Sequence, residues 1–73
     1  MKKYLNTNGD SNVKCYEIGI DYIDVVFNGT DKKYRYSYNS AEKENVENMK
    51  KLAEIGNGLN SFININVKYK YEK

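Results

Sequence analysis

The sequence predicts a small α+β domain: an antiparallel β-meander of three strands packed against one main helix, with a short second helix or irregular segment after it. Three observations predict it. Tyr34, Tyr36 and Tyr38 recur at every second position with Arg35 between the first two, which places the rings on one face of a strand. Asn28-Gly29 stands between two alternating runs and is a strong hairpin signal, because both residues accept positive φ. Val46, Met49, Leu52, Ala53 and Gly56 recur at three- and four-residue spacing, the stripe of an amphipathic helix. At 73 residues the chain is one domain, and a chain of that size buries only about 60% of the surface its unfolded form exposes.

Residues 1–12, with Asn6, Asn8, Gly9, Asp10, Ser11 and Asn12, show no periodicity and read as a flexible N-terminal arm or loop, so the domain proper is expected over 13–73. Tyr16, Ile18 and Ile20 alternate with Glu17 and Gly19 in a first strand, and Asp21 with Tyr22 makes a tight connection. Ile23, Val25 and Phe27 continue in a second strand, and Lys32 to Tyr38 form the third. Parity fixes the faces, since a one-residue slip would invert every side chain. The expected register sets Ile20 opposite Ile23, Ile18 opposite Val25 and Tyr16 opposite Phe27. Across the second hairpin Val25 meets Tyr34 and Ile23 meets Tyr36. Asp24 then faces Arg35 on the other side of the sheet, an ion pair worth a few tenths of a kcal/mol when exposed.

Asn39 or Ser40 can cap the helix, and Glu42 and Glu44 suit the positive end of its dipole. The helix is expected to lie on the tyrosine face. Gly56, Asn57 and Gly58 end it, since these residues tolerate the left-handed conformation. Leu59 to Ile65 read as a short second helix or an irregular segment. Val67 to Tyr71 alternate again and read as a fourth strand or an extended tail.

Composition narrows the chemistry. There is no His to act as a general base, and one Cys without His supplies neither a zinc site nor an activated nucleophile. Gly56 and Gly58 follow a helix instead of opening one, so they are a helix stop and not a phosphate loop. No enzyme activity, cofactor or metal is expected. Lys2 and Lys3 could open a secretory leader, but Tyr4 through Asn12 carry no apolar run, and no stretch is long enough to cross a membrane. With a lone Cys15, the expectation is a reducing, cytoplasmic setting.

The aromatic and basic segments carry the functional reading. Tyr rings stack unpaired bases and neighbouring Lys or Arg hold phosphates. The tyrosines also share a face with Ile18, Ile20, Val25 and Phe27, so Tyr34 and Tyr36 read as core, with Tyr38 more open at the strand end. The candidate contacts are Lys33, Arg35, Lys68 and Lys70 for phosphate and Tyr38 or Tyr71 for stacking. A net charge of +2 is small for a nucleic-acid binder.

The order of these pieces resembles the KTSC domain, a short bacterial module found at the C-terminus of some lysyl-tRNA synthetases and as stand-alone proteins. The residues that carry the resemblance are Ile18-Gly19-Ile20-Asp21, then Ile23, Val25 and Phe27 with Asn28-Gly29, then Tyr34-Arg35-Tyr36. Phe62, Asn64, Val67 and Lys68 follow the helix, and Tyr69-Lys70-Tyr71 closes the match. The chain departs from the family in a shorter first loop, in Ile20 where the family has an aromatic, and in a terminal Tyr-Lys-Tyr without proline. The resemblance implies the α+β fold, no catalytic residue, and an association with RNA through the synthetase context. The expected function is therefore a non-catalytic module binding RNA or single-stranded nucleic acid weakly. The alternative is protein association or homodimerisation through an exposed strand edge.

Overall fold

β-branched and aromatic residues at alternate positions build the sheet. In this computed structural model, which describes residues 1–7, 9 and 11–72, four antiparallel strands lie side by side in chain order. They are β1 (Lys2–Lys3), β2 (Val13–Ile18), β3 (Tyr22–Phe27) and β4 (Lys33–Ser37). The β3–β4 register is the expected one, with Ile23 opposite Tyr36, Asp24 opposite Arg35 and Val25 opposite Tyr34.

Between β2 and β3 the register differs by two residues, with Ile18 opposite Ile23 and Tyr16 opposite Val25. An even shift preserves the faces, so Tyr16 is still buried, but Ile20 leaves the strand and is 93% exposed. The turn residues are Ile20 and Asp21, closed by the Gly19 N–H donating to the Tyr22 carbonyl at 2.9 Å. Gly19 permits this because the Tyr22 ring lies where a Cβ would be. A bulge between Val13 and Cys15 returns Val13 to the buried face opposite Phe27.

Ordered structure begins well before Val13, which corrects the expected flexible arm. Lys2 pairs with Tyr16 and Lys3 with Cys15, and the Tyr4 N–H donates to the Lys14 carbonyl at 3.1 Å. Tyr4 is only 2% exposed, and its hydroxyl accepts from the Leu59 N–H at 3.2 Å. Asn8 and Asp10, also covered by that expectation, lie outside the described residues.

Ser37, two or three residues before the expected caps Asn39 and Ser40, caps a separate short helix, and the main helix that follows has no side-chain cap. The Ser37 side chain accepts from the Ser40 N–H at 3.1 Å, and the Ser40 hydroxyl accepts from the Ser37 N–H at 3.0 Å. This places Tyr38 at the start of α1 (Tyr38–Ala41) and not on the strand stripe. The chain breaks at Glu42, with φ 78° and ψ 144°, and resumes as α2 (Lys43–Ile55). Val46, Met49 and Ala53 of α2 are buried against the sheet, and Gly56 ends the helix at φ 83° with its amide on the Leu52 carbonyl.

The chain is helical up to Val67, and residues 68–72 beyond it form a turn and a tail and not a fourth strand. α3 (Leu59–Phe62) runs directly into a π turn over Ile63–Val67. Leu59, Ile63 and Val67 lie four residues apart and are all buried, whereas Tyr69 of the competing alternation is 70% exposed. Burying three apolar side chains, each worth about 1.5–3 kcal/mol, outweighs a strand with no ladder to join. The fourth strand is instead the N-terminal pair. The helices cover one face of the sheet, where Tyr16, Ile23, Val25 and Tyr36 meet Val46, Met49, Leu59 and Ile63. No helix among the described residues is long and apolar enough to cross a membrane.

Candidate functional site

The six expected contact residues fall in four places, and alternation sets the first two together on one face of the sheet. Lys33 and Arg35 project from the face of β4 opposite the core. Arg35 is already engaged: its Nε donates to Asp24 Oδ1 at 2.8 Å and its second nitrogen to Oδ2 at 3.0 Å. Its guanidinium also lies 3.9 Å from the Tyr22 ring centre. The Asp24 hydrogen bonds push the Arg35 pKa still further above its ordinary value. The expected exposed pair is thus half buried, since Asp24 on the central strand is 1% exposed. The pair occupies Nε and one terminal nitrogen of a side chain that is 45% exposed, so the remaining N–H donors of Arg35 still face outward.

Tyr38 is a bolt between elements. Its hydroxyl donates to Glu47 Oε2 at 2.6 Å, and Glu47 takes Lys50 Nζ at 2.8 Å. The same ammonium donates to the Ile20 carbonyl at 3.0 Å, tying the β2–β3 turn to α2. The hydrogen bond to Glu47 raises the Tyr38 pKa, and those from Lys50 and then Tyr38 lower that of Glu47.

Tyr71 and Lys68 belong to a cleft of about 340 Å³. One wall is aromatic. Tyr71 stands edge-on to Tyr34 at 4.8 Å between ring centres and to Tyr36 at 6.2 Å, and Tyr34 stands edge-on to Phe27 at 5.5 Å. Tyr36 is 1% exposed, and burial is the main cause that pushes its phenol up to about 12. The Glu72 N–H donates to the Arg35 carbonyl at 2.6 Å and holds the last residues beside β4.

The other wall is helical. Asn60, Asn64 and Lys68 follow one another at four-residue intervals along α3, the π turn and its end, and all line the cleft with Tyr69. A π turn is a frequent feature of functional sites. Asn12, at the start of β2, adds a third amide. Among the described residues the side chains of Asn12, Asn60 and Asn64 have no hydrogen-bond partner within the chain, as is also true of Asn28, Asn39 and Asn48 elsewhere on the domain, whereas those of Asn6, Asn45 and Asn66 bond backbone carbonyls. Two ammonium groups border the site: Lys32 Nζ is 5.2 Å from the Tyr34 ring centre and Lys68 Nζ 5.4 Å from that of Tyr69. No carboxylate lines the cleft among the described residues.

Lys70 is exposed, and its backbone amide donates to the Val67 carbonyl at 2.9 Å. Asn12, Asn60, Asn64 and Tyr69 were not among the expected contacts. Their signal is the polar stripe Asn60, Asn64, Lys68 beside the apolar stripe Leu59, Ile63, Val67, visible once the segment is read with helical spacing. Among the described residues no group of three or more His, Cys, Asp or Glu could hold a metal ion. The cleft therefore presents flat rings, neutral amides and the Lys68 cation, with Lys32 beside it on the Tyr34 ring. No family model matches this chain, and no curated protein or solved structure gives a match.

Proposed function

We propose that this chain is a non-catalytic binding module that takes an unpaired base of RNA or other single-stranded nucleic acid in the cleft between Tyr34, Tyr71 and Tyr69. One observation carries the reading: aromatic walls, three uncommitted amides and two bordering ammonium groups meet in one cleft without a carboxylate. Tyr69, the most exposed ring, offers a stacking face worth roughly 1–3 kcal/mol per base. Asn60 and Asn64 supply a donor and an acceptor each for a base edge. Lys68 and Lys32 exchange their ring contacts for phosphate. Lys33 and Lys70 remain as flanking phosphate contacts, and Arg35 and Tyr38, which pair with Asp24 and Glu47 and do not line the cleft, take no part in it.

With a net charge of +2, affinity is weak and salt-dependent. On a single strand the two contacts at the cleft, Lys32 and Lys68, contribute about −1.4 to the slope of log K against log salt, and the flanking Lys33 and Lys70 up to about as much again. The kinship with the KTSC domain, a bacterial source and a cytoplasmic setting belong to the same proposal and rest on the motif order from Ile18 to Tyr71. Amide chemical shifts of the isotope-labelled protein, followed during addition of short single-stranded RNA at low and moderate salt, test it. Shifts centred on Tyr34, Asn64, Lys68, Tyr69 and Tyr71 are expected. No shift at either salt ends the reading, and shifts centred on Lys33 and Arg35 move the site to the opposite face of β4.

A further inference from the structure

Four of the large apolar side chains left exposed collect along one edge of the domain. Met1 and Ile18 line a groove of about 530 Å³ together with Lys2, Tyr16, Glu17 and Glu54. Ile55 follows Glu54 at the end of α2, and Leu5 lies so close to Gly56 that a Cβ there would meet its side chain. Met1, Leu5, Ile18 and Ile55 are all exposed, and this edge shares no lining residue with the aromatic cleft. Contiguous exposed apolar surface with a polar rim marks an interaction site.

The polar residues of the rim say which partner it suits. Lys2, Glu17 and Glu54 line the groove, and Lys3, next along β1, reaches the same edge from the opposite face of the sheet. Among the described residues none of the four takes part in an ion pair. A basic edge would suit nucleic acid and an acidic one a basic protein, but two lysines beside two glutamates are complementary to themselves. In a two-fold dimer the same patch meets its own copy, so each residue i faces residue j and each j faces i. β1 is also only two residues long, so β2 extends beyond it: Ile18 pairs with Ile23 on one side and has no strand partner on the other.

We infer that this edge is where two copies of the chain meet in a two-fold symmetric dimer. Met1, Leu5, Ile18 and Ile55 pack between the copies, and Lys2 and Lys3 of one copy face Glu17 and Glu54 of the other. The inference does not depend on what the aromatic cleft binds, and it leaves both clefts open.

Sedimentation of the full chain from micromolar to millimolar concentration tests it. The expected result is a monomer–dimer equilibrium that Ile18→Glu and Ile55→Glu each shift to monomer, with far-UV circular dichroism unchanged because both side chains are exposed. Lys2→Glu with Lys3→Glu weakens the dimer by at least about tenfold, and adding Glu17→Lys with Glu54→Lys restores it. A chain that stays monomeric at millimolar concentration overturns the inference. So does a dimer indifferent to these substitutions, or one that the double swap fails to restore.

Discussion

Replacing Tyr4 tests whether the N-terminal residues belong to the folded unit. The ring is 2% exposed, and its hydroxyl accepts from the Leu59 N–H at the start of α3, an amide that has no partner within its own helix. Tyr4→Phe keeps the ring and leaves that buried donor unsatisfied, at a cost of about 1–3 kcal/mol. Tyr4→Ala also removes the ring from the core, and aromatic-to-alanine changes cost about 3–5 kcal/mol. A chain of 73 residues holds roughly 4–11 kcal/mol in total at 0.05–0.15 kcal/mol per residue. The alanine variant is therefore close to unfolding, and the thermal midpoint falls by about 4–8 °C for each kcal/mol lost. Urea unfolding followed by circular dichroism measures both variants, with hydrogen exchange at the Leu59 amide as the local readout. Both variants within about 0.5 kcal/mol of the parent, the range of ordinary surface changes, would refute the docking of this segment.

Three further outcomes follow from the same geometry. Burial holds the Tyr36 phenol protonated up to about 12, against 10.0 for the free group. Because the folded value is the higher one, its contribution is complete below about pH 10 and is lost as pH rises toward 12. At about 1.4 kcal/mol per unit that is roughly 2–3 kcal/mol, measured as the part of the alkaline unfolding slope that Tyr36→Phe removes. Glu42 holds a positive φ that L residues adopt only under strain. Glu42→Gly should therefore stabilise the domain by about 0.5–2 kcal/mol after the entropic cost of glycine, while Glu42→Ala gives no such gain in urea midpoint. In the cleft, Tyr69→Ala should weaken single-stranded RNA binding by about 1–3 kcal/mol with the melting temperature unchanged, and Lys68→Ala should reduce the salt slope by about 0.7. Fluorescence titration at several salt concentrations reads both.

The β3–β4 hairpin was legible because Asn28-Gly29 marks where the chain turns and parity puts Val25, Tyr34 and Tyr36 on one face, although only Gly29 takes a positive φ and residues 28–32 all lie between the strands. The β2–β3 pairing was legible only up to an even shift, which leaves every side chain on its face. The Tyr22 ring lying over Gly19 chose between the alternatives, and no alternation rule records that contact. Tyr4 escaped because one anchoring residue makes no period. At the C-terminus two patterns overlap at Val67, and the helical one prevailed because Leu59 and Ile63 already had a core to enter. The same competition hid half of the cleft: Asn60 and Asn64 carry chemistry only when a helix brings them around beside Lys68. The Asp24–Arg35 pair was readable from the register, but the burial of Asp24 depends on its place on the central strand and on the long side chain folded over it.

A cleft made of phenols, carboxamides and primary amines, in a chain without a single imidazole, lacks the side chain whose charge most readily follows physiological pH. If the proposed single strand is held there through Lys32 and Lys68, ionic strength and competing polyanions are the variables that set its occupancy.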